Sequence, residues 1–189
     1  QVIKDLEIDK DRYPYYLTKF NQFHIHIKDK HLKIKVQQYG IRRYDFDDWL
    51  LKRSGVTVQK HEVKNIIKEG DYYIIDDMYR CKYLIGAGGT HCPVYRTFLK
   101  QKHPRSKNSM IVTLEQEFAY DYQDDNCHLW FLQNKLPGYS WYVPKGNGIL
   151  NVGIGGFAEK LKANNDTIQN QWQLFVQELE KLSFVKNYP

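Results

Sequence analysis

From Met110 to Ile154 the chain alternates apolar and polar residues in short runs broken by polar, glycine or proline turns. The runs are Met110–Tyr120, Cys127–Gln133, Tyr139–Val143 and Ile149–Ile154. Period-two alternation over such lengths belongs to strands with one buried face, not to helices. The spacing predicts an antiparallel meander of about four strands, an ordinary sheet size. The buried face of such a sheet needs a cover, and the sequence supplies one directly after it. Ile168, Trp172, Phe175, Val176, Leu179 and Leu182 recur at helical spacing. They predict an amphipathic helix over 165–182, capped by Asn165 or Asp166.

The N-terminal stretch carries the same strand signal. Phe23, Ile25 and Ile27 alternate with His24, His26 and Lys28, and Leu32, Ile34 and Val36 follow Asp29-Lys30. That pattern predicts a β-hairpin, with Lys28, Lys30, Lys33 and Lys35 on its solvated face. His24 and His26 share one strand face and could together hold a metal, but no third ligand has a visible spacing, so no metal site is predicted. Residues 40–53 read as a short helix, with Phe46, Trp49 and Leu50 at helical spacing, Asp45 and Asp47 in the first turn, and Gly55 at the end. Strands are expected again around Val56, Val58, Val63 and Ile66, then at Tyr72–Ile75 and Lys82–Ile85, with a turn at Glu69-Gly70-Asp71. The last of these runs into Gly86-Ala87-Gly88-Gly89, where backbone must pass close to something. The chain thus divides into a hairpin region (1–39), a second region (40–108), the antiparallel sheet (109–158) and the C-terminal helix (159–189).

Composition narrows the function classes. In 189 residues, 42% are hydrophobic and 15% aromatic, which excludes a disordered polar chain. No window approaches the roughly 18 apolar residues of a membrane-spanning helix. QVIKDLEIDK is not a signal peptide, because charges interrupt any apolar core. Cys81, Cys92 and Cys127 cannot all pair and none lies in a CxxC, which favours a reducing compartment and a cytoplasmic protein. The formal charge of +6 concentrates between residues 28 and 43, a stretch that can attract anionic lipid, nucleic acid or a phosphorylated cofactor.

Three segments stand out together. The first is Arg43-Tyr44-Asp45-Phe46-Asp47-Asp48-Trp49-Leu50. The second runs Tyr83-Leu84-Ile85-Gly86-Ala87-Gly88-Gly89-Thr90-His91-Cys92-Pro93-Val94-Tyr95-Arg96. The third is Pro137-Gly138-Tyr139-Ser140-Trp141-Tyr142-Val143-Pro144-Lys145-Gly146, followed by Asn151-Val152-Gly153-Ile154-Gly155. In this order they resemble the geranylgeranyl reductase family of FAD-dependent oxidoreductases, which shares the para-hydroxybenzoate hydroxylase fold with aromatic hydroxylases and flavin-dependent halogenases. The resemblance covers roughly residues 40–156. It implies an α+β chain: an antiparallel substrate-domain sheet plus part of an FAD-binding α/β domain, lacking the N-terminal dinucleotide-binding unit. No G-x-G-x-x-G loop occurs, so the chain, which opens on Gln1 rather than Met, is read as the middle of a longer flavoprotein.

The resemblance assigns cofactor contacts to Arg43, Gly86, Ala87, Gly88 and Gly89, and substrate contacts to Tyr139, Trp141, Val143 and Pro144. Elementary chemistry agrees. A guanidinium binds phosphate oxygens bidentately. Glycines let backbone approach a bulky cofactor. Tyr139 and Trp141 alternate on a strand and so face one side, where two aromatics can wall an apolar substrate. The plain alternatives are a surface arginine, a simple turn and ordinary sheet core. The match departs at Gly88, where the family carries Asp, at Cys92, where it carries Ser, and at Val143, where it carries Phe. The expected cofactor is therefore FAD in the complete protein, held weakly or not at all by this chain alone.

The activity implied is hydride delivery from reduced flavin to an alkene of an isoprenoid or lipid. The partners implied are an apolar small-molecule or lipid substrate, an electron donor such as NAD(P)H or ferredoxin, and peripheral membrane contact, with no nucleic acid. No catalytic acid or base is assigned, since Glu115, Glu117, Asp121 and Lys145 carry no distinguishing signature. The alternatives are a flavin-dependent monooxygenase or halogenase, a catalytically dead remnant, or a non-catalytic basic and aromatic module for anionic lipid or single-stranded nucleic acid.

Overall fold

The fold is described from a computed structural model covering residues 2–188. Two compact units emerge: one joins the residues up to Gly55 with Asn108 onward, and the other is Val56–Lys107. The larger unit is built on a six-stranded sheet. It opens with a single helical turn, α1 (Val2–Asp5), and the hairpin β1 (Thr18–Ile27) and β2 (Lys30–Gly40). Helix α2 (Arg43–Ser54) follows. The smaller unit contributes the meander β3 (Ile66–Glu69), β4 (Tyr72–Ile75) and β5 (Tyr79–Cys81). The chain then returns as β6 (Ile111–Ala119), β7 (Cys127–Phe131), β8 (Gly138–Gly146) and β9 (Ile149–Phe157), and ends in α3 (Ala158–Ala163) and α4 (Ile168–Lys181).

The strand order is β2-β1-β7-β8-β9-β6, which corrects the expected meander. β6 pairs antiparallel with β9, not with its sequence neighbour β7. β7 instead joins the hairpin through a parallel ladder, Phe23 opposite Cys127 to Ile27 opposite Phe131. The hairpin and the C-terminal strands are thereby one sheet. Alternation along a strand says which face is apolar but not which strand lies alongside.

Every strand of this sheet has two sides. On one side Tyr142, Leu150, Val152 and Ile154 are fully buried and pack with Leu161, Ile168, Phe175 and Leu179 of α3 and α4. Each of these aliphatic side chains contributes about 1.5–3 kcal/mol by leaving water. Thr167, not Asn165 or Asp166, caps α4: its hydroxyl accepts from the Asn170 N–H at 3.1 Å. Asp166 instead accepts from the buried Gln171 Nε2 at 2.6 Å, and Gln171 also donates to the Asn134 carbonyl at 3.0 Å. A buried amide is tolerated because both hydrogens are used.

In α2 the first turn holds Asp45 and the last holds Lys52 and Arg53, as the helix dipole favours. Gly55 ends it in the left-handed region at φ +67°. Phe46 is its buried anchor, packed with Ile8 and Tyr13, while Trp49 and Leu50 are half-buried. In the smaller unit, Val56 and Val58 are 60% and 61% exposed and lie outside the three strands, as do residues 82–85, which follow β5. Both corrections have one cause: short β-branched runs become strands only where a neighbour supplies the ladder and the cover.

At the β1–β7 junction four imidazoles gather. His26 Nε2 and His128 Nδ1 share a hydrogen bond at 3.0 Å, and His128 Nε2 meets Asp124 Oδ2 at 3.1 Å. His26 stacks on His31 at 4.4 Å and on Trp130 at 4.8 Å, and His24 lies 4.4 Å from His128. Burial, then the neighbouring imidazoles, push His26 down to about 4. Burial does the same to His128, also about 4, against the pull of Asp124. A lowered histidine takes up protons in the unfolded chain first, so stability is complete above the unfolded value of about 6.5 and declines as pH falls toward 4. Thermal melts followed by circular dichroism should show that decline between pH 6.5 and 4; a flat profile there contradicts it.

A second expectation concerns the β8–β9 ladder. A Cβ on Gly138 would sit 1.9 Å from the Gly155 carbonyl oxygen, a rigid backbone atom. Gly138→Ala should destabilise the protein by about 3 kcal/mol, the upper range for overpacking, as read from urea unfolding midpoints.

Candidate functional site

The uncovered side of the sheet holds the aromatic segment. Cross-strand register places Trp141 beside Leu129 and Gly153, Tyr139 beside Phe131 and Gly155, and Val143 beside Asn151. The parallel ladder continues this side to Ile25 and Ile27, and the hairpin extends it to Leu32 and Ile34. Leu32 and Ile34 are each 48% exposed and Tyr139 is 43% exposed, so this is an apolar face that no helix covers among the described residues. Phe131 and Tyr139 stack at 5.4 Å, and Tyr139 and Trp141 are 5.6 Å apart. Tyr139, Trp141 and Val143 are therefore together on one wall. Pro144 is not: it points to the helix-covered side and is fully buried, because it is one residue out of phase with the other three.

One end of the wall is polar. Lys145 follows Val143 on the same side of β8, and Glu115 and Glu117 come from β6. Arg42 Nε donates to Glu117 Oε1 at 2.7 Å, and its NH1 lies 3.3 Å from Asp45 Oδ2. Burial holds Lys145 below the ordinary lysine range, opposed by Glu117, Cys127 and Glu115. Burial pushes the Cys127 thiol up to about 11. A cavity of about 290 Å³ opens here, lined by Tyr15, Tyr16, Arg42, Asp45, Lys145 and Gly146. The ring of Tyr16 covers Gly146 so closely that a Cβ there would fall 1.9 Å from it. Sequence reasoning missed Arg42 and chose its neighbour. Nothing in an Arg-Arg pair says which guanidinium turns toward the sheet; Glu117 lies 75 residues away.

Arg43 occupies the first position of α2, as the resemblance implies, but its guanidinium forks onto Asp47, with NH2 at 2.9 Å and Nε at 3.1 Å. It is exposed and belongs to the larger unit, whereas Gly86, Ala87, Gly88 and Gly89 belong to the smaller one. In that unit the glycines have two distinct roles. A Cβ on Gly86 would fall 2.8 Å from Val94 Cβ, and one on Gly88 3.1 Å from Cys92 Cα. Both are small because the strip folds back on residues 92–94. Gly89 sits at φ +63° with open space beside it. Arg105 clamps the strip, donating to the carbonyls of Thr90 at 2.8 Å and Gly89 at 3.2 Å while stacking on Tyr95 at 4.0 Å. Cys92 is buried, and backbone N–H groups of Tyr95, Gly88 and Val94 lower its pKa. Gly86, Ala87, Gly89, Tyr95 and Arg105 line an open concavity of about 580 Å³. Small residues on one side of the concavity, with a guanidinium and an aromatic ring on the other, leave room for the edge of a large anionic group. Among the described residues no group of three or more His, Cys, Asp or Glu side chains is arranged to hold a metal.

The chain superposes on a geranylgeranyl bacteriochlorophyll reductase-like protein from Thermoplasma acidophilum with a TM-score of 0.67 at 18% identity, over 94% of this chain and 49% of that one. It also superposes on the flavin-dependent halogenase CmlS with a TM-score of 0.65 at 14% identity, over 98% of this chain and 37% of that one. These likenesses define the fold. Residues 110–186 match the geranylgeranyl reductase catalytic domain. The digeranylgeranylglycerophospholipid reductase 1 of Methanococcoides burtonii is 30% identical over 135 residues, 62% of this chain and 32% of the relative. That of Methanopyrus kandleri is 27% identical over 139 residues, 65% of this chain and 36% of the relative. The chain is thus similar to proteins of the geranylgeranyl reductase family. It spans about a third of the length of the curated relatives it matches.

The polar end of the wall offers a direct check. Glu117 raises the Lys145 pKa that burial depresses. Glu117→Gln should therefore move Lys145 further down, which a pH titration of its side-chain ammonium by heteronuclear NMR will read. An unchanged or raised value means that the two groups do not share this site.

Proposed function

We propose that the chain supplies the substrate wall and part of the cofactor cradle of an FAD-dependent reductase acting on an alkene of an isoprenoid or lipid. The observation that carries this reading is the uncovered apolar face made by Tyr139, Trp141 and Val143 with Leu129, Phe131 and the hairpin. It supports binding of an extended hydrocarbon chain, which such a face takes up by excluding water. FAD, when bound and reduced, would supply the hydride. The residues proposed to hold it are Arg43 and the strip Gly86–Gly89, with Arg105 fixing that strip. The same reading calls for an electron donor such as NAD(P)H or ferredoxin. It also calls for a route to a lipid substrate at a membrane surface, since no described helix is long and apolar enough to cross one.

The halogenases share the fold, while the matched catalytic domain and the curated relatives favour the reductase. The nucleic-acid module has less support. Lys33 and Lys35 pair with His24 and Gln22, which puts them on the opposite side of the sheet from Tyr139 and Trp141. Bases cannot stack on aromatics while phosphates reach cations behind the sheet.

Two measurements test the proposal. FAD titrated into this chain should bind weakly or not at all, because the sequence holds no G-x-G-x-x-G loop to seat its pyrophosphate. A stoichiometric flavin band in the absorption spectrum of the purified chain overturns that part. Geranylgeraniol, a C20 isoprenoid alcohol, should quench tryptophan fluorescence on binding, and Trp141→Ala should weaken binding by about tenfold, the loss of one large apolar contact. No saturable quenching removes the substrate reading.

A further inference from the structure

Trp141 is fixed from two directions by β9. Its indole N–H donates to Asn151 Oδ1 at 2.7 Å. Gly153 is its cross-strand partner, and a Cβ there would fall 2.1 Å from Cζ2 and 2.4 Å from Cε2 of the indole. The ring therefore lies down over β9, in space that only a glycine leaves free. The same Cβ would come within 2.9 Å of Glu115 Cβ, so the seat is closed on its far side by β6. Asn151 is buried, and the Trp141 N–H is the partner of its side-chain oxygen. A tryptophan without this tether has other staggered rotamers, in which the ring stands off the sheet.

For a hydrocarbon ligand the difference is large. Dispersion contact is lost over gaps of less than an ångström, and hydrocarbon has no directional bond to compensate. A flat, immobile floor binds an extended chain along its length, whereas an upright ring blocks it. We infer that Asn151 and Gly153 are positioning residues that lock Trp141 flat on the sheet, so that an extended apolar chain lies across the indole face. This rests on the substrate reading proposed above. It gives the Asn and Gly of the Asn151-Val152-Gly153 segment a task distinct from touching substrate.

The test uses the 189-residue chain with 15N-labelled tryptophan. The Trp141 indole signal is identified by its loss in Trp141→Phe. In Asn151→Leu that signal should shift and its hydrogen exchange should accelerate by about tenfold or more, as a hydrogen bond is removed. Geranylgeraniol affinity should fall by about tenfold in the same variant, with the thermal midpoint within a few degrees of wild type. In a Trp141→Phe background, Asn151→Leu should cost nothing further, since the tether is already gone. Asn151→Ser, too short to reach the indole, gives the same readouts should the leucine variant fail to fold. Wild-type affinity alongside a displaced indole signal overturns the positioning role, as do losses that multiply in the double variant. A wild-type chain that does not bind the alcohol fails at an earlier step: the substrate reading falls, and the inference falls with it.

Discussion

The register of β8 on β9 is the constraint from which the rest follows. With Tyr142 opposite Val152 and Trp141 opposite Gly153, every second residue of both strands goes beneath the helices and the others form the open wall. A slip of one residue would bury Trp141 and expose Tyr142. The ladder is pinned by contacts that tolerate no alternative: Gly138 lies against the Gly155 carbonyl, and the indole of Trp141 rests on Gly153. The glycines of this segment are therefore spatial requirements of two strands and one ring, not signs of a loose loop.

The covered side gives the wall its rigidity. α4 lays Ile168, Phe175 and Leu179 on β9 and β6, and Phe184, beyond the helix, closes over Trp130, Tyr142 and His128. The same side carries the imidazole cluster that joins the hairpin to β7. Burial holds His26 and His128 neutral, so the junction that extends the wall to Ile25, Ile27, Leu32 and Ile34 is strongest above their titration range. The strand pairing that extends the wall on one face thus depends on protonation on the other.

Much of this was legible in advance. The strands of residues 111–157, the hairpin, α2 and α4 follow from periodicity and from Gly55 and Thr167-type boundary residues, although the cap of α4 itself was placed one or two residues early. Tyr139, Trp141 and Val143 were placed on one side by alternation alone, and the same alternation separates Pro144 from them. Strand order was not legible, because a strand reports its two faces and says nothing about its neighbours. Arg42, Glu117 and Lys145 were likewise invisible as a group: they meet only after β6 closes onto β9.

The sequence by itself determined local periodicity, the amphipathic cover and the motif by which the chain resembles a family of flavoproteins. These are short-range properties, written in residues a few positions apart. Tertiary structure alone decided that the hairpin and the aromatic strand are one sheet, and that Lys33 and Lys35 of β2 and the aromatics of β8 lie on opposite sides. Each depends on a pairing between segments separated by long stretches of chain. Such pairings are chosen by the summed burial of a whole sheet face, which no local window of sequence contains.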